Sequence, residues 1–172
     1  MIGLAPTIAG VATPDFVVAL RTQIGHAPLW LPGVTAVVLR ETDEATEVLL
    51  VRRADTGEWT PVTGIIDPGE QPADAAAREV LEEADVIAVP ERLVWVHALT
   101  PMTYPNGDQA QYLDLVFRFR HVAGTPHPAD GENTAAAWFA LDALPPMSDH
   151  MHERVRRALE PTGDCAFELS PR

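Results

Sequence analysis

Three glutamates between positions 79 and 83 are spaced so that a helix places them on one face. Glu79, Glu82 and Glu83 stand at i, i+3 and i+4, within one arc at about 100° per residue. Such like charges repel one another by roughly a few tenths of a kcal/mol per pair, and a divalent cation reverses that sign. The spacing therefore predicts a site for a hard ion such as Mg²⁺ or Mn²⁺, which prefers carboxylate oxygens.

The opposite face of this helix, predicted over 72–84, is suited to packing on a sheet. It carries small and apolar side chains, namely Ala73, Ala77, Val80, Leu81 and Ala84. On the acidic side, Arg78 stands four residues from both Asp74 and Glu82 and can pair with either. The tight turn at 67–70 can fold Glu70 back toward the helix. These neighbours partly offset the repulsion among the carboxylates.

Residues 64–86 match a known pattern, the Nudix box. That pattern is Gly, five residues, Glu, seven residues, then Arg-Glu-hydrophobic-x-Glu-Glu-x-Gly-hydrophobic. Six of its seven polar and glycine positions are matched, by Gly64, Glu70, Arg78, Glu79, Glu82 and Glu83. Val80 and Val86 fill the two hydrophobic positions. At a background use of roughly 6% per position, chance gives this match in about one such sequence in 10⁵. The chain therefore resembles the Nudix hydrolases, over about residues 34–159.

Two positions depart from the family pattern. Asp85 stands where the box has a glycine that would end the helix in the left-handed conformation. Asp is among the few residues that tolerate this conformation, at an expected cost of about 1 kcal/mol of local stability. Thr63 occupies a position where many relatives carry glycine. These departures bear on rate and substrate preference and leave the predicted fold unchanged.

The resemblance implies a fold, a reaction and a set of metal ligands. The fold is of the α/β (α+β) class, an α/β/α sandwich around a mixed, partly barrel-like sheet. The reaction is hydrolysis of the diphosphate in a nucleoside diphosphate linked to another moiety, with Mg²⁺ or Mn²⁺ absorbing the developing charge. The implied metal ligands are the carbonyl of Gly64 and the carboxylates of Glu79, Glu83 and, as ligand or close neighbour, Glu82. Glu70 and Arg78 would brace the loop against the helix.

The general base stays open between a box glutamate and a residue on a later loop. Glu132 lies six residues before Trp138, where relatives often place a catalytic or metal-binding glutamate. A plain turn carboxylate in the sequence Asp130-Gly131-Glu132 explains Glu132 equally well. Ala135 occupies a position that is frequently acidic in relatives, and it removes one alternative base.

The sequence offers few candidates for residues that select the substrate. Arg52 and Arg53 point to opposite sides of a strand, so only one of them can approach phosphates directly. Tyr104 can stack on a base. Its spacing from the box is similar to that of dinucleoside polyphosphate hydrolases, whereas Pro101, 15 residues after Val86, is similar to the proline of ADP-ribose hydrolases. We therefore predict a nucleotide pyrophosphohydrolase, with ADP-ribose-like substrates slightly ahead of (deoxy)nucleoside triphosphates. A Nudix-fold nucleotide sensor without turnover is the alternative.

The charge of the chain limits its partners. The 172 residues carry 25 Asp and Glu against 12 Lys and Arg, a net charge of −13. This surplus disfavours binding to polymeric nucleic acid or to a membrane through a basic patch, and favours a small nucleotide as partner. Residues 64–86 alone hold seven acidic residues against Arg78, which suits carboxylates that hold a metal that in turn holds phosphate. The single Cys165 rules out a disulfide framework and favours a cytoplasmic location.

The elements that must position these residues mix helices and strands without strict βαβ alternation. Hydrophobic periodicity predicts helices at 13–25, 72–84 and 148–159, and strands at 35–40, 47–53, 93–99, 111–120 and 136–141. Pro28, Pro32 and Gly33 predict a break in the chain. Three segments follow: an N-terminal helix and connecting segment at 1–33, the Nudix domain at 34–160 and a C-terminal tail at 161–172. The N-terminal segment can form a lid or a dimer contact, so a homodimer is an expectation.

Overall fold

Three helices and nine strands make up the part of the chain that the structure, a computed structural model, describes: residues 13–161 and 163–169. The helices are α1 (Asp15–Ile24), α2 (Pro72–Ala84) and α3 (Asp149–Leu159). The strands are β1 (Leu29–Glu41), β2 (Thr46–Arg53), β3 (Trp59–Thr60), β4 (Val62–Ile65), β5 (Ile87–Ala98), β6 (Met102–Thr103), β7 (Gln109–Ala123), β8 (Asn133–Ala140) and β9 (Ala166–Phe167). Residues 1–12 of the predicted N-terminal segment, and 162 and 170–172 of the tail, lie outside these described ranges. No helix within them is long and apolar enough to cross a membrane.

Local signals explain where the helices begin and end. Helix α2 starts with Pro72, at a position where the missing N–H of proline is not needed. It ends at Asp85, whose φ of 52° and ψ of 37° are left-handed, as the box glycine position predicts. Helix α3 begins after Ser148, whose hydroxyl accepts a hydrogen bond from the Met151 N–H. The predicted bounds of α2 are thus confirmed.

The strands form one mixed sheet in the order β3-β2-β1-β7-β5-β9. Strand β4 also pairs with β1, β6 with β7, and β8 with β2. Strands β1 and β7 run parallel, whereas β1 is antiparallel to both β2 and β4. The mixed α/β architecture is confirmed, and among the described strands the sheet does not close into a barrel.

Strand β1 is longer than the sequence predicts. It begins at Leu29 rather than near residue 35, and it continues through Pro32 and Gly33, where a break was expected. Parallel pairing with β7 runs from Leu29 to Leu39 without a gap, with Pro32 opposite Leu113. Long-range pairing therefore overrides the local break signal, which is a property of the chain segment alone.

The two faces of the sheet carry separate cores. One core lies under α2 and contains Val34, Ala36, Val38, Leu49, Val51, Val80 and Phe119. The other lies under α3 and contains Val37, Leu39, Val48, Leu50, Val116 and Val155. Alternate residues of β1 and β2 divide between the two sides, as pleated strands require. The result is a helix–sheet–helix sandwich with α2 and α3 on opposite faces.

The face of α2 that packs on the sheet is rotated from the predicted one. Leu81, predicted to pack there, is 48% exposed, so that prediction is wrong. Val80 and Ala84 are buried as predicted, and Ala75, Ala76 and Glu83 are buried as well. Because the alanines carry nothing beyond Cβ, the helix lies close to the sheet, and the rotation carries Glu83 inward.

The left-handed end of α2 generates a stability prediction. Within the described residues Asp85 is the single non-glycine residue with positive φ. Replacing it by glycine removes the Cβ strain, so Asp85→Gly should raise the free energy of unfolding by about 0.5–1 kcal/mol in urea titrations. Asp85→Asn is the matched control, because asparagine removes the charge and keeps the Cβ. Equal stabilisation in both variants would assign the effect to charge and contradict the prediction.

Candidate active site

Arg78 lies at the centre of the acidic group and binds three of its glutamates. Its Nε and Nη2 donate to the two carboxylate oxygens of Glu70 at 2.9 and 3.0 Å. Its Nη1 donates to Glu79 Oε1 at 2.9 Å and to Glu82 Oε2 at 3.1 Å. The predicted pairing with Glu82 is therefore present, while Glu70 takes the place expected for Asp74. A bidentate bond of this kind is among the stronger charge-assisted contacts.

The loop before α2 is held by the same guanidinium. Arg78 Nη2 also donates to the carbonyl oxygen of Ile65, at 3.2 Å. The N–H of Asp67 donates to Glu70 Oε2 at 3.2 Å, so Glu70 does fold back toward the helix. The hydrogen bonds and charge of Arg78 hold the pKa of Glu70 below its ordinary value, against a smaller effect of burial. Glu70 and Arg78 thus tie the loop to α2.

Gly64 leaves the space that Glu79 fills. It lies in β4, paired with Val34 of β1. A Cβ atom added at Gly64 would overlap the carboxylate carbon, one carboxylate oxygen and the Cγ of Glu79. Any other residue here would therefore displace the Glu79 carboxylate from the strand.

Burial and neighbouring negative charges raise the pKa of two of the glutamates. Glu83 is 5% exposed, and Asn133 Nδ2 donates to its Oε2 at 2.7 Å. Burial raises the pKa of Glu83 well above its ordinary value. Burial also raises the pKa of Glu79 to about 7, although Arg78 opposes this shift. The charge of Glu132 contributes to both shifts, so Glu132 lies near the box glutamates.

The carboxylate oxygens of the box glutamates are chemically suited to binding a divalent cation. Carboxylate oxygens are the ligands that Mg²⁺ and Mn²⁺ prefer. Arg78 occupies one oxygen of Glu79 and one of Glu82, and Asn133 occupies one of Glu83, so each retains an oxygen that accepts no hydrogen bond from the described residues. No three His, Cys, Asp or Glu side chains within residues 13–161 and 163–169 already surround a common point. Small side-chain rotations would therefore accompany binding of an ion.

A cavity of about 480 Å³ lies beside this group. Arg53 and Tyr104 line it, and its walls are mainly apolar. Asp55 accepts from Arg53 Nε at 2.9 Å and from Nη2 at 2.6 Å. Burial lowers the pKa of Arg53, but its hydrogen bonds to Asp55 and the charge of Glu83 outweigh this effect and raise it above the ordinary value. Arg53 also lies opposite Asn133, the residue that bonds Glu83. Arg52 is exposed on the other side of the strand, outside the cavity lining, and donates to the Gly57 carbonyl at 3.0 Å.

A buried ion pair that the sequence analysis does not predict also lines the cavity. Arg154 Nη2 lies 2.8 Å from Asp114 Oδ2, and the two residues are 2% and 3% exposed. Thr35 donates to Asp114 Oδ1 at 3.0 Å. His97 Nε2 lies 3.1 Å from Asp114 Oδ2. The signal in the sequence was an aspartate in the middle of the apolar strand β7, because such a residue needs a buried partner.

The Asp114–Arg154 pair generates a second stability prediction. Removing Arg154 leaves the buried charge of Asp114 with Thr35 and His97 as its remaining partners among the described residues, so Arg154→Met should lower the free energy of unfolding by about 3–5 kcal/mol. Adding Asp114→Leu removes that charge, so the double variant should recover much of the loss, as urea titration of the three proteins would show. Strictly additive losses would contradict this explanation.

Comparison with known proteins agrees with this arrangement. A family model for the NUDIX domain matches residues 30–160. The chain is 34% identical over 146 residues to 8-oxo-dGDP phosphatase NUDT18 of Homo sapiens, covering 83% of this chain and 41% of that protein. It is 31% identical over 140 residues to a MutT-like protein of Streptomyces ambofaciens, covering 79% of this chain and 81% of that protein. The chain thus spans about two fifths of the length of NUDT18.

Solved structures share the fold. An ADP-ribose pyrophosphatase from Streptococcus suis superimposes with a TM-score of 0.56 at 22% identity, covering 79% of this chain and 97% of that one. At this identity the likeness concerns the fold alone. Together, the family model, the relatives and the six matching box positions show that the chain belongs to the Nudix family.

Proposed function

We propose that this protein is a divalent-metal-dependent pyrophosphohydrolase that cleaves the diphosphate of a nucleoside diphosphate derivative. The observation that carries the proposal is the position of Arg53. It lines a mainly apolar cavity of about 480 Å³ and lies opposite Asn133, whose amide bonds the buried carboxylate of Glu83. A nucleotide needs this pairing of an apolar pocket with a charged end.

Three carboxylates of α2 are the metal ligands of this proposal. Glu79, Glu82 and Glu83 would hold Mg²⁺ or Mn²⁺, together with the Gly64 carbonyl. When bound, such an ion supplies positive charge against the phosphate oxygens during displacement. Arg78 stays in its contacts with the glutamates and keeps them in place.

Arg53 would bind the phosphates directly. Its Nε and Nη2 are occupied by Asp55, and its Nη1 donates to no described residue. Asp55 therefore orients the guanidinium while one edge stays available to a phosphate oxygen. Arg52, on the exposed side of the same strand, takes no part in the proposal.

Glu132 is the general base of the proposal. Glu79, Glu82 and Glu83 are the metal ligands of the proposal, and Arg78 and Asn133 between them hold all three by hydrogen bonds, which leaves the role of base to another carboxylate. Glu132 lies near them on the loop before β8, and its backbone is fixed on both sides. Its N–H donates to Asp130 Oδ1 at 2.9 Å, and its carbonyl accepts from the Ala54 N–H at 2.9 Å.

The lining of the cavity bears on the class of substrate. Tyr104 lines the cavity and can stack on a base, whereas Pro101, the residue similar to the proline of ADP-ribose hydrolases, lines a separate hollow together with Trp30. NUDT18 is named for a nucleoside diphosphate. Nucleoside di- and triphosphates are therefore placed ahead of ADP-ribose-like nucleotides, which reverses the preference drawn from spacing alone.

The expectations on partner, location and oligomeric state are part of the same proposal. The excess of negative charge supports a small nucleotide over a nucleic-acid polymer as partner. Cys165 is a free thiol, which is consistent with a cytoplasmic protein. A homodimer through the N-terminal segment is retained as part of the proposal.

A panel of substrates tests the reaction. Wild-type protein should hydrolyse at least one of 8-oxo-dGDP, 8-oxo-dGTP, unmodified dNTPs, ADP-ribose and diadenosine polyphosphates, and EDTA should abolish turnover. Glu83→Gln should lower kcat/KM by more than about 10²-fold, since losing even an outer partner of a metal site commonly costs 10–100-fold. Asp74→Asn, an exposed acid on the same helix, is the control. Nucleotide binding without turnover of any compound would instead establish the sensor.

A second variant tests the base. Glu132→Gln removes the proton acceptor and should lower kcat by about 10²–10⁴-fold. Mn²⁺ affinity, measured by electron paramagnetic resonance, should remain that of the wild type. Lost Mn²⁺ binding would make Glu132 a ligand, and an unchanged kcat would return the role of base to a box glutamate.

A further inference from the structure

Asn133 makes a buried contact with the acidic group that the box does not include. Its Nδ2 donates to Glu83 Oε2 at 2.7 Å, and the two residues are 6% and 5% exposed. The contact joins β8 to α2 across 50 positions of the chain. We propose that Asn133 is a positioning residue, which commits one oxygen of Glu83 to itself and so presents the other, Oε1, to the divalent ion. The inference rests on the proposed metal site and deepens it.

An irregularity in the backbone delivers Asn133 to this position. Along the β2–β8 pair, Val51 lies opposite Ala136 and Arg52 opposite Ala135. The next pair is Arg53 with Asn133, so Thr134 is an extra residue on β8. Such a bulge shifts the alternation of side chains and re-aims them.

The register also determines on which side of the sheet Asn133 lies. Val51 and Ala136 both pack in the core under α2. Arg53, two residues after Val51, lies on the same side, and so does its partner Asn133. Asn133 is three residues from Ala136, so regular alternation would have placed it on the opposite face, away from Glu83. The bulge, which absorbs the extra residue Thr134, therefore keeps Asn133 on the side of α2.

Two hydrogen bonds stabilise the bulge. Thr134 Oγ1 donates to the Arg52 carbonyl at 3.2 Å. The Ala54 N–H donates to the Glu132 carbonyl at 2.9 Å. Since Arg53 and Asn133 are opposite each other, the same bulge sets the phosphate-binding arginine beside the residue that orients a metal ligand.

The chemistry of an amide suits this role. Glu83 already lies near the carboxylates of Glu79, Glu132 and Asp130. An arginine in place of Asn133 would neutralise Glu83 and compete with a cation for it. An amide N–H satisfies one oxygen without adding charge, and hydrogen-bonded partners of this kind orient metal ligands in many proteins.

Mn²⁺ binding to the full chain tests the inference independently of activity. Asn133→Leu keeps the branched shape of the side chain and removes the donor, and Asn133→Ala is a second variant for the case in which the larger leucine does not fit. Both should bind Mn²⁺ about 10–100-fold more weakly than wild type in calorimetric titration. Thr46→Ala, which removes an exposed side-chain hydrogen bond to Glu41 at the other end of β2, is the control and should bind Mn²⁺ with wild-type affinity.

The outcomes separate this inference from the proposed function. Wild-type protein that neither binds Mn²⁺ nor hydrolyses any nucleotide would overturn both. If wild type binds Mn²⁺ and hydrolyses substrate, while folded Asn133→Leu or Asn133→Ala binds Mn²⁺ equally well, the positioning role alone is overturned. The positioning role is also overturned if these variants lose only thermal stability and keep the wild-type Mn²⁺ affinity and kcat.

Discussion

One guanidinium holds the candidate site together. Arg78 bonds to both oxygens of Glu70 and to one oxygen each of Glu79 and Glu82. Without it, the loop that precedes α2 would have no charged tie to the helix, and two carboxylates one turn apart would repel each other unopposed. Arg78 also bonds the carbonyl of Ile65 in β4, so the same guanidinium ties the strand that carries Gly64 to the helix that carries Glu79.

The protein balances a dense group of negative charge in two ways. At the exposed end, where Glu82 reaches solvent, a full positive charge on Arg78 does so. At the buried end, where a second arginine would exclude a cation, Glu83 receives a neutral amide. A divalent ion would compensate the negative charge that these two partners leave. Because Arg78 supplies a full charge at the exposed end and Asn133 supplies none at the buried end, the uncompensated negative charge increases from the surface inward.

Local features were predictable from the sequence and long-range ones were not. The bounds of α2, the Arg78–Glu82 pair and the left-handed Asp85 follow from spacing within one segment. The Asn133–Glu83 bond does not, because a bulge decides which way Asn133 faces. The Asp114–Arg154 pair needed the topology that brings α3 over β7. The rotation of α2 that buries Glu83 depended on how closely its alanines approach the sheet.

The bulge at Thr134 makes the site depend on where the strand register shifts as well as on which side chains β8 carries. With the present number of residues, regular pairing beyond Ala135 would place Thr134 opposite Arg53 and turn Asn133 to the side of α3. Removing Thr134 together with the bulge would instead leave Asn133 opposite Arg53, on the side of α2. The face on which Asn133 lies is therefore set jointly by the number of residues in this stretch and by the bulge that absorbs the extra one.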